Sequence, residues 1–144
     1  MMFFYTLPVV TVALTHTPNN SGSLYIPQVA PAGQELQISE GNLVLGSNMA
    51  TFQYHSSGTL KCVETGQYVY INALGRLVSG AFPQHGFQLT YARRRHPLRR
   101  LSYNGDEYFQ LCGDNSVAYR STCEGAREII IGYENHFVEE AESP

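Results

Sequence analysis

TLKCVETGQYVYINALGRLVSGAFPQHGFQLTY, residues 59–91, is the stretch on which the fold turns. Its apolar residues alternate in short runs, and Gly66, Asn72, Gly75, Gly80 and Pro83 stand between the runs. Alternation with period two places successive side chains on opposite faces of a strand, whereas no helical period is sustained here. The stretch therefore divides into four short strands: one around Leu60, then YVYI, then LVSG, then GFQL.

The same pattern occurs on either side. SLYIPQVAPAGQELQISEGNLVLGSNMATFQYH (23–55) has its counterparts in Leu24, ELQI, LVLG and TFQY. RLSYNGDEYFQLCGDNSVAYRSTCEGAREIIIGY (100–133) has them in Leu101, YFQL, VAYR and EIII. The leading leucines are 36 residues apart at the first seam and 41 at the second. Turn glycines recur between the strands: Gly33, Gly66 and Gly105 in the first turn, then Gly41, Gly75 and Gly113 in the second.

A period of this length marks one supersecondary unit that cannot bury its apolar face alone. Three four-strand units predict an all-β chain built as a β-trefoil-like threefold repeat, a closed barrel capped by three hairpins. A two-sheet β-sandwich is the alternative. The expected inward set is Leu24, Leu36, Ile38, Leu43, Phe52, Leu60, Val69, Ile71, Leu77, Phe87, Leu89, Leu101, Phe109, Leu111, Val117, Ile129 and Ile131.

Composition agrees with one globular domain. The chain has 144 residues, 15% of them charged and 43% apolar, and ten Tyr and seven Phe replace the missing Trp as large apolar groups. Residues 11–135 are assigned to a single all-β domain. Residues 1–10 are read as a vestigial leader, and VEEAESP leads an acidic tail over 136–144. The apolar N-terminal run lacks a charged n-region, and it is too short and too interrupted for a membrane span, so no transmembrane segment is expected. Asn19 opens an N-x-S glycosylation sequon.

The net charge is −3, but five of the nine basic residues lie in YARRRHPLRRLSY (91–103). Without residues 92–100, four basic residues face twelve acidic ones, a net of −8. An acidic body with local basic charge argues against nucleic acid as a partner. The seam predicts a surface connector. Its arginines, Arg93, Arg94, Arg95, Arg99 and Arg100, are candidates for anion binding, and its dibasic pairs are candidates for proteolytic processing.

No sequence pattern marks catalysis. His16, His55, His85, His96 and His136 lack partners at metal-ligand intervals, and no nucleophile elbow, P-loop or dinucleotide fingerprint occurs. The expectation is a monomer without catalytic residues, metal or cofactor. Tyr70, with Asn72, Asn104, Asp106 and Asn115, is a candidate glycan contact, because an exposed Tyr can stack on a sugar ring while turn Asn and Asp bind hydroxyls. The competing explanation is that Asn and Asp stand in turns for backbone reasons. The loop GAFPQHG (80–86), stiffened by Pro83, suggests a second reading: an inhibitor or effector that blocks a hydrolase with a projecting loop. Cys112 and Cys123, eleven apart, are sterically able to bridge. The alternative is three buried reduced cysteines including Cys62.

SGTLKCVETGQYVYINALGRLVSG, GFQL and LSYNGDEYFQLCGDNSVAYRSTCEGAREIIIGYEN together resemble the secreted fungal cell-wall proteins of the phialide (PhiA-like) and IgE-binding type. The positions carrying the resemblance are Gly58, Leu60, Gln67, Tyr68, Val69, Tyr70, Gly75, Leu77, Leu101, Asn104, Gly105, Cys112, Tyr119 and Cys123. VALTHTPNNSGSLYIPQVAPAGQEL is similar to the opening of those proteins, so the resemblance covers most of 11–135. It implies a secreted, extracellular or wall-associated protein without catalytic residues, and it supports a Cys112–Cys123 disulfide; the partner expected for such a barrel, with its turn Asn/Asp and Tyr side chains, is cell-wall polysaccharide. Such proteins commonly carry a further cysteine pair near the first repeat, where this chain has only Cys62.

Overall fold

The computed structural model describes residues 21–27, 35–48, 50–91 and 98–136. Asn19, Arg93, Arg94, Arg95, His96, the leader 1–10 and tail residues 137–144 lie outside them. The described chain is all-β, with 13 strands: β1 (Ser21–Tyr25), β2 (Glu35–Ser39), β3 (Asn42–Gly46), β4 (Phe52–His55), β5 (Thr59–Cys62), β6 (Gln67–Ile71), β7 (Leu77–Gly80), β8 (Phe87–Leu89), β9 (Leu98–Tyr103), β10 (Tyr108–Leu111), β11 (Val117–Ala118), β12 (Arg127–Ile130) and β13 (Gly132–Asn135). They form a ten-stranded and a three-stranded antiparallel sheet. No helix among the described residues is long and apolar enough to cross a membrane.

The strands fall where alternation places them, because each buries one face. Fourteen of the seventeen residues expected inside are buried, Leu24, Leu36, Phe52, Leu60, Val69, Phe87 and Leu101 with no exposed surface. Ile38, Ile71 and Leu89 are only partly buried, at or near strand ends. Ile26, Ala50, Cys62 and Tyr133 join the same core. Each large apolar side chain buried in this way contributes about 1.5–3 kcal/mol.

Neighbours trace a circuit. β1 pairs with β4 and with β13, β4 with β5, β8 with β9, and β9 with β13. β5 and β8 lie in contact, and the Phe87 N–H donates to the Gly58 carbonyl at 3.0 Å. Three further pairs, β2–β3, β6–β7 and β10–β11, stand outside this circuit. Each turn is held by a neighbouring pair: Ser79 N–H of β7 donates to Gly41 O (2.9 Å), Tyr119 N–H just after β11 to Gly75 O (2.7 Å) and Leu45 N–H of β3 to Asn115 O (2.9 Å). The three accepting residues all have left-handed backbone, at φ +81°, +83° and +70°, the conformation that favours Gly and tolerates Asn.

Three details differ from the sequence reading. The strand opening the third segment starts at Leu98, so Arg99 and Arg100 lie within β9, opposite Tyr133 and Gly132, rather than in the connector. β11 stops at Ala118, because Arg120 turns to φ +50°. EIII does not run as one strand: β12 ends at Ile130, and a separate β13 carries Tyr133, among the largest fully buried side chains. Burial drives the Tyr133 hydroxyl up to about 12, with Arg99 opposing the shift.

Candidate functional site

Cys112 and Cys123 form a disulfide, and Cys62 is buried and unbridged. The bridge joins the end of β10 to the segment leading into β12, so it ties down one rim of a cleft in the third segment. β10 and β12 pair with Tyr108 opposite Ile130 and Gln110 opposite Glu128. Phe109 and Ile129 point inward and are buried, so alternation turns Tyr108, Gln110 and Glu128 outward.

The cleft encloses about 310 Å³ and is lined by Asp106, Tyr108, Gln110, Arg120, Arg127 and Glu128, with Phe109 beneath. Tyr108 is 52% exposed and offers a ring face beside polar groups. Asp106 is held on every side. Its Oδ1 accepts from the Tyr108 N–H (3.0 Å), and its Oδ2 accepts from Arg120 Nη2 (3.2 Å) and from the Tyr119 hydroxyl (3.4 Å). The Tyr108 N–H, followed by Arg120 and Tyr119, keeps the Asp106 carboxyl below its ordinary range. The Arg120 guanidinium also lies 5.3 Å from the Tyr119 ring centroid. Arg127 and Glu128 line the cleft outside the ion pairs formed among the described residues. One supplies donors only and the other, ionised, acceptors only.

A second groove, about 430 Å³, lies in the middle segment between Tyr70, Ile71 and residues 80–84. No charged side chain lines it, and Phe82 stands 81% exposed beside Pro83. The Gln84 amide is committed elsewhere, accepting from Ile71 N–H (2.6 Å) and donating to the Tyr103 hydroxyl (2.8 Å).

The five glycan-contact candidates therefore separate. Asp106 lines the first cleft and Tyr70 the second. Asn72 uses its side-chain oxygen to hold its own turn, accepting from Leu74 N–H (2.9 Å) and Arg76 N–H (3.0 Å). Asn104, at φ +52°, precedes Gly105 at +86° in a two-residue turn between the bridged residues Tyr103 and Asp106. Asn115 closes the β10–β11 turn. For these three the backbone explains the residue type.

Of the arginine candidates within the described residues, Arg100 pairs with Glu107 at 2.9 Å, and Arg99 lies within the sheet. Among the histidines, His85 Nδ1 is 3.0 Å from the Ser57 carbonyl and His136 Nε2 is 2.7 Å from the Ser23 hydroxyl.

Sequence reasoning missed Gln110, Arg120, Arg127 and Glu128. One signal was available: Gln37 and Gln110 occupy the same place in ELQI and YFQL, and each side-chain oxygen accepts a backbone N–H eleven residues on, from Asn48 (2.9 Å) and Ser121 (2.7 Å). Comparison of the chain with models of known protein families gives no match, and comparison with curated proteins gives none either.

Proposed function

We propose that this protein is a non-catalytic β-trefoil that acts by holding glycan at the third-segment cleft. The trefoil reading is supported by the circuit of six strands and by the three backbone hydrogen bonds that tie each hairpin turn to another hairpin in cyclic order. The glycan reading is carried by one arrangement: the half-exposed Tyr108 ring beside Glu128 and Arg127. A pyranose has an apolar face that stacks on an aromatic ring and a rim of hydroxyls that both donate and accept. A ring flanked by a donor and an acceptor meets both demands.

The partner proposed is cell-wall polysaccharide, and the location proposed is the extracellular face or the wall, as the resemblance to phialide-type wall proteins implies. The disulfide is compatible with an oxidising compartment.

The test is retention of the recombinant chain on insoluble β-glucan and chitin. Retention by the unaltered protein and its loss in Tyr108→Ala is the expected result. A folded protein that stays in the supernatant with both polymers would remove this reading.

A second reading rests on a different observation, the exposure of Phe82 next to Pro83 in the loop 80–86. A stiff loop presenting an aromatic side chain suits an inhibitor that enters a hydrolase cleft. Inhibition of a protease and glycosidase panel, weakened by Pro83→Gly, would favour it over glycan binding.

A further inference from the structure

From the middle-segment groove we infer a second glycan subsite, different in chemistry from the first, so that the chain holds polysaccharide at two places. The inference rests on the reading of the Tyr108 cleft as a glycan site and extends it. Aligning YVYI with YFQL sets Tyr70 at the place of Gln110, and aligning LVSG with VAYR sets Gly80 at the place of Arg120. The groove and the cleft are thus built at corresponding positions of two repeats.

At this position the first and third segments share one device. The amides of Gln37 and Gln110 reach across to fasten the backbone that follows the third strand of their repeats. The middle segment abandons it. Tyr70 replaces the glutamine and packs close to Gly80: a Cβ added at Gly80 would lie 2.6 Å from the Tyr70 Cε1. Fastening passes to Gln84, whose amide is taken up by Ile71 N–H and the Tyr103 hydroxyl. The change leaves an aromatic ring on the floor, Phe82 standing on the rim and Pro83 holding the loop.

A groove with aromatic walls and no charged lining selects an uncharged ligand with a flat apolar face. In a protein whose corresponding cleft takes sugar, that ligand is a neutral pyranose ring of the same polymer. The two subsites then differ in one measurable property. Each depends on its own aromatic side chain, Tyr108 at the cleft and Phe82 at the groove. Two modest subsites on one polymer also give avidity without any further contact.

The experiment is calorimetric titration of the full chain with soluble β-1,3-glucan hexaose and with chitin hexaose. The expected result is a stoichiometry of two for one of these probes. Phe82→Ala, which alters an exposed side chain and leaves folding intact, weakens the groove site about tenfold, the worth of one aromatic contact. Tyr108→Ala removes the other site. A stoichiometry of one, lost in Tyr108→Ala and unchanged in Phe82→Ala, overturns the second subsite and leaves the first standing. Loss of all binding in either single variant overturns it too, since that describes one continuous site. Absence of binding to both probes by the unaltered chain overturns both readings.

Discussion

The middle and third segments, which the trefoil proposal makes repeats of one unit, differ in what holds their surfaces together. The third repeat is cross-tied: a disulfide, the Asp106–Arg120 pair and the Gln110 amide all converge on its cleft. Beneath it runs an aromatic chain in which Phe87, Tyr103, Tyr119 and Phe109 meet at centroid distances of 5.1, 5.2 and 5.7 Å. Around its groove the middle segment has one tying amide, Gln84, with an aliphatic Val69 in the core beneath and a tyrosine packed against a glycine. On the trefoil proposal, one backbone plan carries a charged, braced surface in one place and an uncharged, lightly braced one in another. Side chains at two or three positions decide which.

The comparison can be broken most forcefully at the floors. Phe109→Ala removes a buried ring and leaves a cavity, so a loss of about 3–5 kcal/mol is expected in urea unfolding, while Val69→Ala costs clearly less. Equal losses would mean that the third repeat gains nothing from its aromatic chain.

Next in size is the disulfide. It closes a loop with a sequence separation of 11, which supports about 2–3 kcal/mol in the chain-entropy account. Unfolding with and without reductant measures it, and the paired Cys112→Ala, Cys123→Ala variant must show no further response to reductant.

The hairpin tips separate backbone strain from crowding. Gly41 and Gly75 share the left-handed conformation, but a Cβ on Gly41 meets nothing within 4 Å, whereas one on Gly75 would lie 2.8 Å from the Tyr119 carbonyl oxygen. Gly41→Ala should cost about 1 kcal/mol of strain and Gly75→Ala more, up to about 3. Thermal melts of the two variants give the ordering.

The smallest effect is electrostatic. The Asp106 and Asp114 carboxyls are both held low, Asp106 first by the Tyr108 N–H and Asp114 first by the Ser116 hydroxyl. A depressed folded-state value means that their stabilisation is complete above the unfolded value, about 3.9, and fades as pH falls through the lower folded values. Asp106→Asn should therefore lose this contribution at neutrality, where it is complete, and flatten part of the decline in stability below about pH 4, so that the two proteins converge in acid.

The strands were legible because alternation reports which face a residue occupies. It does not report depth, which is why Ile38, Ile71 and Leu89, at or near strand ends, are only half-buried. β13 was missed because GYEN shows a single apolar residue, and Tyr133 is recognised as core only once its strand lies between β1 and β9. At the site, Asp106 was visible as a turn acid, but the tyrosine put forward with it was Tyr70, which lies in the other groove. Glu128 and Arg127 were not visible, because cross-strand pairing with β10 brings them there, and no local pattern encodes that pairing. The arginine run misled in part. Arg99 and Arg100 are strand residues rather than connector, and Arg100 already has a partner in Glu107.

The chain contains no tryptophan, and this permits a direct test of the central claim that the Tyr108 ring receives sugar. Tyr108→Trp places a single indole at the cleft, and its emission is followed while soluble β-1,3-glucan or chitin hexaose is added. The account predicts a saturable blue shift with one of these probes, as the ring leaves water and stacks on the pyranose. An emission spectrum unchanged by saturating amounts of both would contradict it.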